Sequence, residues 1–160
     1  MTTAAEPTAT GPASTEPPLR VLPRVDDRNR HYWTGGSDGE LRFLRCQDDG
    51  TYVHPPTPRC PVCFGKDLAP EAVSGRATVA AFTVNHQAWM PSPTLPFVLA
   101  IVELPEQDGL RVTSTIVGCP VDAVEIGMPV QVTFEAHADD EVWIPLFEPA
   151  DPALRSGADG

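Results

Sequence analysis

Cys46-Gln47-Asp48-Asp49-Gly50 and Cys60-Pro61-Val62-Cys63-Phe64-Gly65 carry the spacing C-x2-D-x10-C-x2-C, and the fold is read outward from them. A closed tetrahedral metal site usually takes two C-x2-C pairs, each on a tight turn that aims backbone N–H groups at sulfur. Here Asp49 stands where the second cysteine of the first pair belongs. Three thiols at this spacing point to the two knuckles of a zinc ribbon. Because a carboxylate oxygen is an acceptable zinc ligand, Asp49 can complete a set of Cys46, Asp49, Cys60 and Cys63. His54 is the alternative fourth ligand, and a metal-free knuckle held by packing is the plainer reading. Three protein ligands plus water is also the catalytic pattern. Catalytic sites, however, draw on His and carboxylate ligands beside a base in a pocket, so a structural role is expected.

The flanking residues supply a frame. Residues 40–45 are strand-like and run into Cys46, and Thr51-Tyr52-Val53 can return antiparallel before Pro55-Pro56 breaks the ladder. Upstream, Asp26 or Asp27 can cap a short helix that ends in His31-Tyr32-Trp33 and stops at Gly35-Gly36. Tyr32 and Trp33 either pack on the domain or present an aromatic face to a partner; both readings stand.

Downstream, residues 75–84, 97–104, 110–117, 130–134 and 142–147 read as five short strands. The first carries a nearly continuous apolar run, which suits a strand covered on both faces. A turn or short helix at 122–129 makes the longer connection before the fourth strand. Five strands at this spacing fit a small Greek-key barrel of the OB type better than a sandwich. The fold class expected is mainly β: an N-terminal helix and rubredoxin-like zinc ribbon over 23–70, then a five-stranded OB-fold barrel over 71–149. Residues 1–22 are expected to form a disordered leader and 150–160 a flexible tail.

The 160 residues carry a formal net charge of -11 and a pI near 4.6. That sign opposes nucleic acid and anionic membrane surfaces as partners. With no signal peptide and no span long enough to cross a bilayer, a cytoplasmic location is expected, where cysteines serve as metal ligands or buried thiols. Cys119 reads as a small apolar filler, His86 and His137 as strand-end or loop residues, and no catalytic residue is assigned. The connection between the first two barrel strands holds Trp89-Met90-Pro91, large adaptable side chains that can serve a partner, a small ligand, or the barrel mouth itself.

The order of Tyr32-Trp33, Glu40-Leu41-Arg42-Phe43, Cys46, Cys60-Pro61-Val62-Cys63, Gly75-Arg76-Ala77-Thr78-Val79, Val98-Leu99-Ala100-Ile101-Val102-Glu103-Leu104, Ile126-Gly127-Met128-Pro129-Val130 and Leu146-Phe147-Glu148-Pro149 resembles a known family. These are the small zinc-ribbon plus OB-fold proteins, long catalogued as a domain of unknown function, that accompany thiolase-like enzymes of acyl-CoA thioesters, steroid side-chain aldolases among them. The resemblance covers roughly residues 26–149, and this chain departs from the family's usual C-x2-C first knuckle at Asp49. It implies a non-catalytic accessory subunit that stabilises a thiolase or retro-aldolase in a hetero-oligomer and helps shape the path of the CoA substrate. The expected cofactor is structural zinc, with acyl-CoA the partner's substrate, and Tyr32, Trp33, Trp89 and Met90 are the candidate partner contacts. A free-standing acyl-CoA or lipid carrier is the alternative. A nucleic-acid-binding OB protein comes third, because charge opposes it.

Overall fold

A computed structural model describes residues 21–87 and 95–151. Trp89 and Met90 lie outside the described residues, as do nearly all of the expected leader and tail. No helix of the described residues is long and apolar enough to cross a membrane.

The chain enters through a short helix α1 (Arg30–Thr34), which runs on as a 3-10 turn over Gly35–Asp38. The α-helix stops at the glycine pair, with Gly35 as its C-cap, as the sequence indicates, and Gly39, at φ +73°, ends the 3-10 turn that follows. Gly36 is glycine for a packing reason, since a Cβ there would overlap Trp143 and Phe134 on the barrel wall. The helix end is thus pressed against the barrel.

Three strands form the ribbon sheet: β1 (Leu41–Cys46), β2 (Tyr52–Val53) and β3 (Leu68–Val73), in the order β2-β1-β3. β1 pairs with β3 along its whole length, from Leu41 opposite Val73 to Cys46 opposite Leu68. β3 was not visible as a strand in the sequence, and it runs across the expected boundary at 70/71. It lacks clean alternation and holds Pro70, which an edge strand tolerates.

The remaining strands are β4 (Arg76–Asn85), β5 (Phe97–Glu103), β6 (Arg111–Ile116), β7 (Pro129–His137) and β8 (Val142–Pro149). They close a five-stranded barrel in the order β4-β5-β6-β8-β7. Antiparallel pairs make up the wall except between β6 and β8, which run parallel at Ile116 opposite Phe147. All five expected strands are present.

The first of them differs in one respect. β4 is not covered on both faces: Thr78, Ala81 and Thr83 are exposed. A register shift between Val79 and Ala81 reverses the phase of the pleat, so Ala77 and Val79 point inward before it and Phe82 and Val84 pack on the core after it. The unbroken apolar run records a β-bulge.

One core spans both parts. Tyr32, Leu41 and Phe43 from the helix and ribbon join Val79, Val98, Val102, Val112 and Phe147 of the barrel in a single buried cluster. Polar ties reinforce the junction. Gln107, in the β5–β6 turn, accepts from the Tyr52 N–H at 2.8 Å and donates to its carbonyl at 3.2 Å, acting as a one-residue strand along the free edge of β2. The Ser74 N–H donates to Glu106 at 2.6 Å, and the Val132 N–H to the Gly75 carbonyl at 2.8 Å.

Candidate metal centre and docking residues

β1 delivers Cys46 to the base of the first knuckle, where it is buried. Its N–H donates to the Thr51 carbonyl at 2.8 Å, and its own carbonyl accepts from the Gly50 N–H at 2.9 Å. Gly50, at φ +79°, closes the turn. Asp49 then points back over the knuckle, and its Oδ1 accepts from the Thr51 N–H at 2.9 Å. Hydrogen bonds from Thr51 hold its carboxyl well below the usual carboxylate range, with smaller help from Cys63 and Cys60 against a desolvation cost.

The second knuckle is built from its own backbone. The Cys60 N–H donates to the Gly65 carbonyl at 2.9 Å and the Phe64 N–H to the Cys60 carbonyl at 3.1 Å. Two further N–H groups aim at sulfur: Val62 at Cys60 Sγ and Gly65 at Cys63 Sγ, each at 3.4 Å. A Cβ on Gly65 would displace the exposed Asp48 carboxylate and crowd Cys63 Sγ.

The two turns bring Cys46, Asp49, Cys60 and Cys63 together, with one ligand atom from each within 4.8 Å of the others. Cys46 Sγ lies 3.5 Å from Cys63 Sγ, and Cys60 Sγ 3.3 Å from Asp49 Oδ2. Tetrahedral zinc with ordinary Zn–S and Zn–O bonds sets these edges at about 3.8 Å and about 3.5 Å, so the donor set fits the ion. All three cysteines are free thiols.

Their protons are unevenly held. Burial opposes charge on Cys60, but N–H donors from Cys63 and Val62 prevail and its pKa is lowered. At Cys63 the Gly65 N–H favours the thiolate, yet Asp49, burial and the two other sulfurs together push the pKa up to about 12. A divalent cation held by these four residues would displace those protons and replace mutual repulsion by shared coordination. Four protein donors would complete a tetrahedral set and leave no position open to substrate.

His54, the alternative fourth ligand, does not join this cluster. Its ring packs 4.9 Å from Tyr32 and 4.7 Å from Phe43, centroid to centroid. Burial, with a lesser effect from His31, lowers its pKa to about 4.

The aromatic candidates separate. Tyr32 is largely buried, edge-on to Trp33 at 4.7 Å and stacked on Phe43 at 6.0 Å, so it fastens α1 to the ribbon while one edge lines the groove beside Trp33. Trp33 is half-buried and borders an open groove of about 630 Å³ together with His54, Pro55, Arg111 and Thr113. Cys119 is partly buried against the core, where burial raises its pKa. His137 shares a 2.8 Å hydrogen bond with Glu135.

Two surface residues escaped the sequence reading. Val62 and Phe64, on the second knuckle, are 63% and 68% exposed. Phe64 also has φ +62°, a conformation glycine normally supplies. An aromatic residue just after C-x2-C, where the turn needs a left-handed residue, was the available signal.

Two family models match contiguous stretches: "ChsH2, rubredoxin-like zinc ribbon domain" over residues 33–69 and "ChsH2, C-terminal OB-fold domain" over residues 70–135. A probable enoyl-CoA hydratase alpha subunit of Thermomonospora curvata is 35% identical over 138 residues, which is 86% of this chain and 42% of that protein. This chain therefore spans about two fifths of that relative's length. A DUF35 domain-containing scaffold protein of Methanocaldococcus jannaschii is 36% identical over 61% of this chain and 69% of its own length. Among solved structures, a chain of the Ltp2-ChsH2(DUF35) aldolase superposes with a TM-score of 0.72 at 34% identity, covering 81% of this chain and 100% of that one. The helix, ribbon and closed barrel, with these matches in both sequence and structure, establish that the chain belongs to the DUF35 family of ChsH2-type zinc-ribbon and OB-fold proteins.

Proposed function

We propose that this chain is a non-catalytic accessory subunit of a thiolase-fold enzyme, a thiolase or retro-aldolase acting on acyl-CoA thioesters. One observation carries the reading: the chain matches the full length of a ChsH2(DUF35) chain that belongs to an aldolase named with a second component, Ltp2. The naming of the Methanocaldococcus relative as a scaffold supports the non-catalytic part. In this reading residues 23–70 and 71–149 act as one rigid adaptor, and the partner's residues carry out the chemistry.

Zinc held by Cys46, Asp49, Cys60 and Cys63 has a structural task. It fixes the hairpin end of β1 and β2 to the second knuckle, a region with little apolar surface to bury. Nothing favours the carrier reading, because inward side chains such as Val79, Val98, Val102, Val112 and Phe147 fill the barrel.

The test is an assay of carbon–carbon bond cleavage in an acyl-CoA by the Ltp2-type subunit from the same organism, with and without this chain. The expected result is weak activity from that subunit alone, restoration on adding this chain, and no turnover by this chain by itself. A partner that is equally stable and fully active alone contradicts the proposal.

A further inference from the structure

Phe64 places an exposed aromatic ring at a position where the knuckle turn needs a left-handed residue. Its backbone lies in the left-handed region, at φ +62°, where a side chain crowds its own carbonyl and glycine does not. Its ring, meanwhile, is 68% exposed, so burial does not offset that strain. Val62 beside it is 63% exposed. The turn asks for the conformation but not for the ring, and side chains kept at a local cost without burial gather where a protein meets something else.

The support beneath this tip is rigid. The Phe64 N–H is tied to the Cys60 carbonyl at 3.1 Å, and the Phe64 carbonyl accepts from Arg59 Nη1 at 3.0 Å. The backbone that carries the ring is therefore held in place, which lowers the entropic cost of binding. Both signs of charge meet at this tip: the Asp48 carboxylate lies beside Gly65, and two cations stand on either side of the knuckle. In a molecule of net charge -11, the tip is flanked by Arg59 and by Lys66, the only lysine. Neither forms an ion pair among the described residues. An exposed aromatic anchor on a tied backbone, flanked by Arg59 and Lys66, matches an apolar socket with a carboxylate rim.

We infer that the Val62–Phe64 tip of the second knuckle docks this chain onto its catalytic subunit. Phe64 seats in an apolar socket of that subunit, and Arg59 and Lys66 pair with carboxylates around it. The inference rests on the accessory-subunit reading above and names the surface that reading requires.

Phe64→Gly tests it, because it removes the ring and relieves the backbone in one change. Binding of the purified Ltp2-type subunit is measured by calorimetry, and the melting temperature and zinc content of this chain are followed in parallel. The expected result is affinity reduced about tenfold or more, with melting temperature equal to or above wild type and zinc retained. Val62→Asp, at an exposed site of ordinary backbone, weakens binding in the same way without moving the melt.

Affinity within twofold of wild type in both variants overturns the inference and leaves the accessory-subunit reading intact. A lower melting temperature with zinc loss in Phe64→Gly also overturns it, since the ring then serves the fold. Self-association of wild type that Phe64→Gly abolishes reassigns the tip to a second copy. Failure of wild type to bind removes the inference and the reading together.

Discussion

In the barrel, Val102 and Phe147 are fully buried among apolar neighbours; in the ribbon, the fully buried groups include the thiol of Cys60, whose neighbours are Asp49 and two other cysteines. Five strands can enclose a core and need no ion. A ribbon sheet whose β2 has only two residues cannot, so cohesion passes to four polar ligands and to Phe43, Leu41 and Tyr32 at the barrel junction. The difference teaches where each kind of damage should stay local and where it should spread.

The sharpest separation comes from Cys60→Ala. Its zinc content should fall from about one ion per chain to near zero. Structural zinc in isolated finger peptides is worth about 10–16 kcal/mol in apparent binding free energy, so the ribbon should open. Hydrogen exchange should show amides of residues 46–67 losing protection while those of β4–β8 keep theirs. Joint melting of ribbon and barrel breaks the comparison.

Phe147→Ala is the converse. Emptying a fully buried aromatic site typically costs about 3–5 kcal/mol. Denaturant melts should register that loss with the zinc content unchanged, because Phe147 lies in β8 and not in the ribbon.

The seam between the two regions should be sensitive to acid through His54. Its folded pKa, about 4, lies below the ordinary 6.5. The unfolded chain therefore takes up a proton that the folded one refuses. Stability from this source is complete above pH 6.5 and falls as pH drops toward 4, by about 2 kcal/mol between pH 7 and pH 5. His54→Phe should flatten that part of the pH profile, and an unchanged slope contradicts the burial argument.

The smallest effect belongs to Gln107→Ala. It removes two hydrogen bonds to Tyr52, each worth about 1 kcal/mol. The Tyr52 amide should exchange faster while the barrel melt shifts by no more than a few degrees.

What the sequence disclosed divides along the same line. The barrel strands were legible because alternation is local, and even the bulge in β4 left its trace as an apolar run that changes phase. The ligand spacing was legible because knuckle turns are short. β3 was not, since its identity depends on pairing with β1 more than twenty residues away and its own pattern is broken by Pro70. Tyr32 and His54 were legible as aromatic rings but not as neighbours of each other, because Tyr32 meets His54 and Phe43 only after the helix has docked on the ribbon. For Phe64, the conformation forced on it by the turn decided its exposure, and residue type alone did not show that. Trp89 and Met90 lie outside the described residues.

The central claim, that this chain works as one subunit of a larger enzyme, is tested most directly by size-exclusion chromatography with light scattering on an equimolar mixture with the Ltp2-type subunit. The account expects a single peak containing both chains, with a mass above that of either component, that falls apart when zinc is stripped. Two separate peaks at the masses of the isolated proteins, with zinc bound, contradict it.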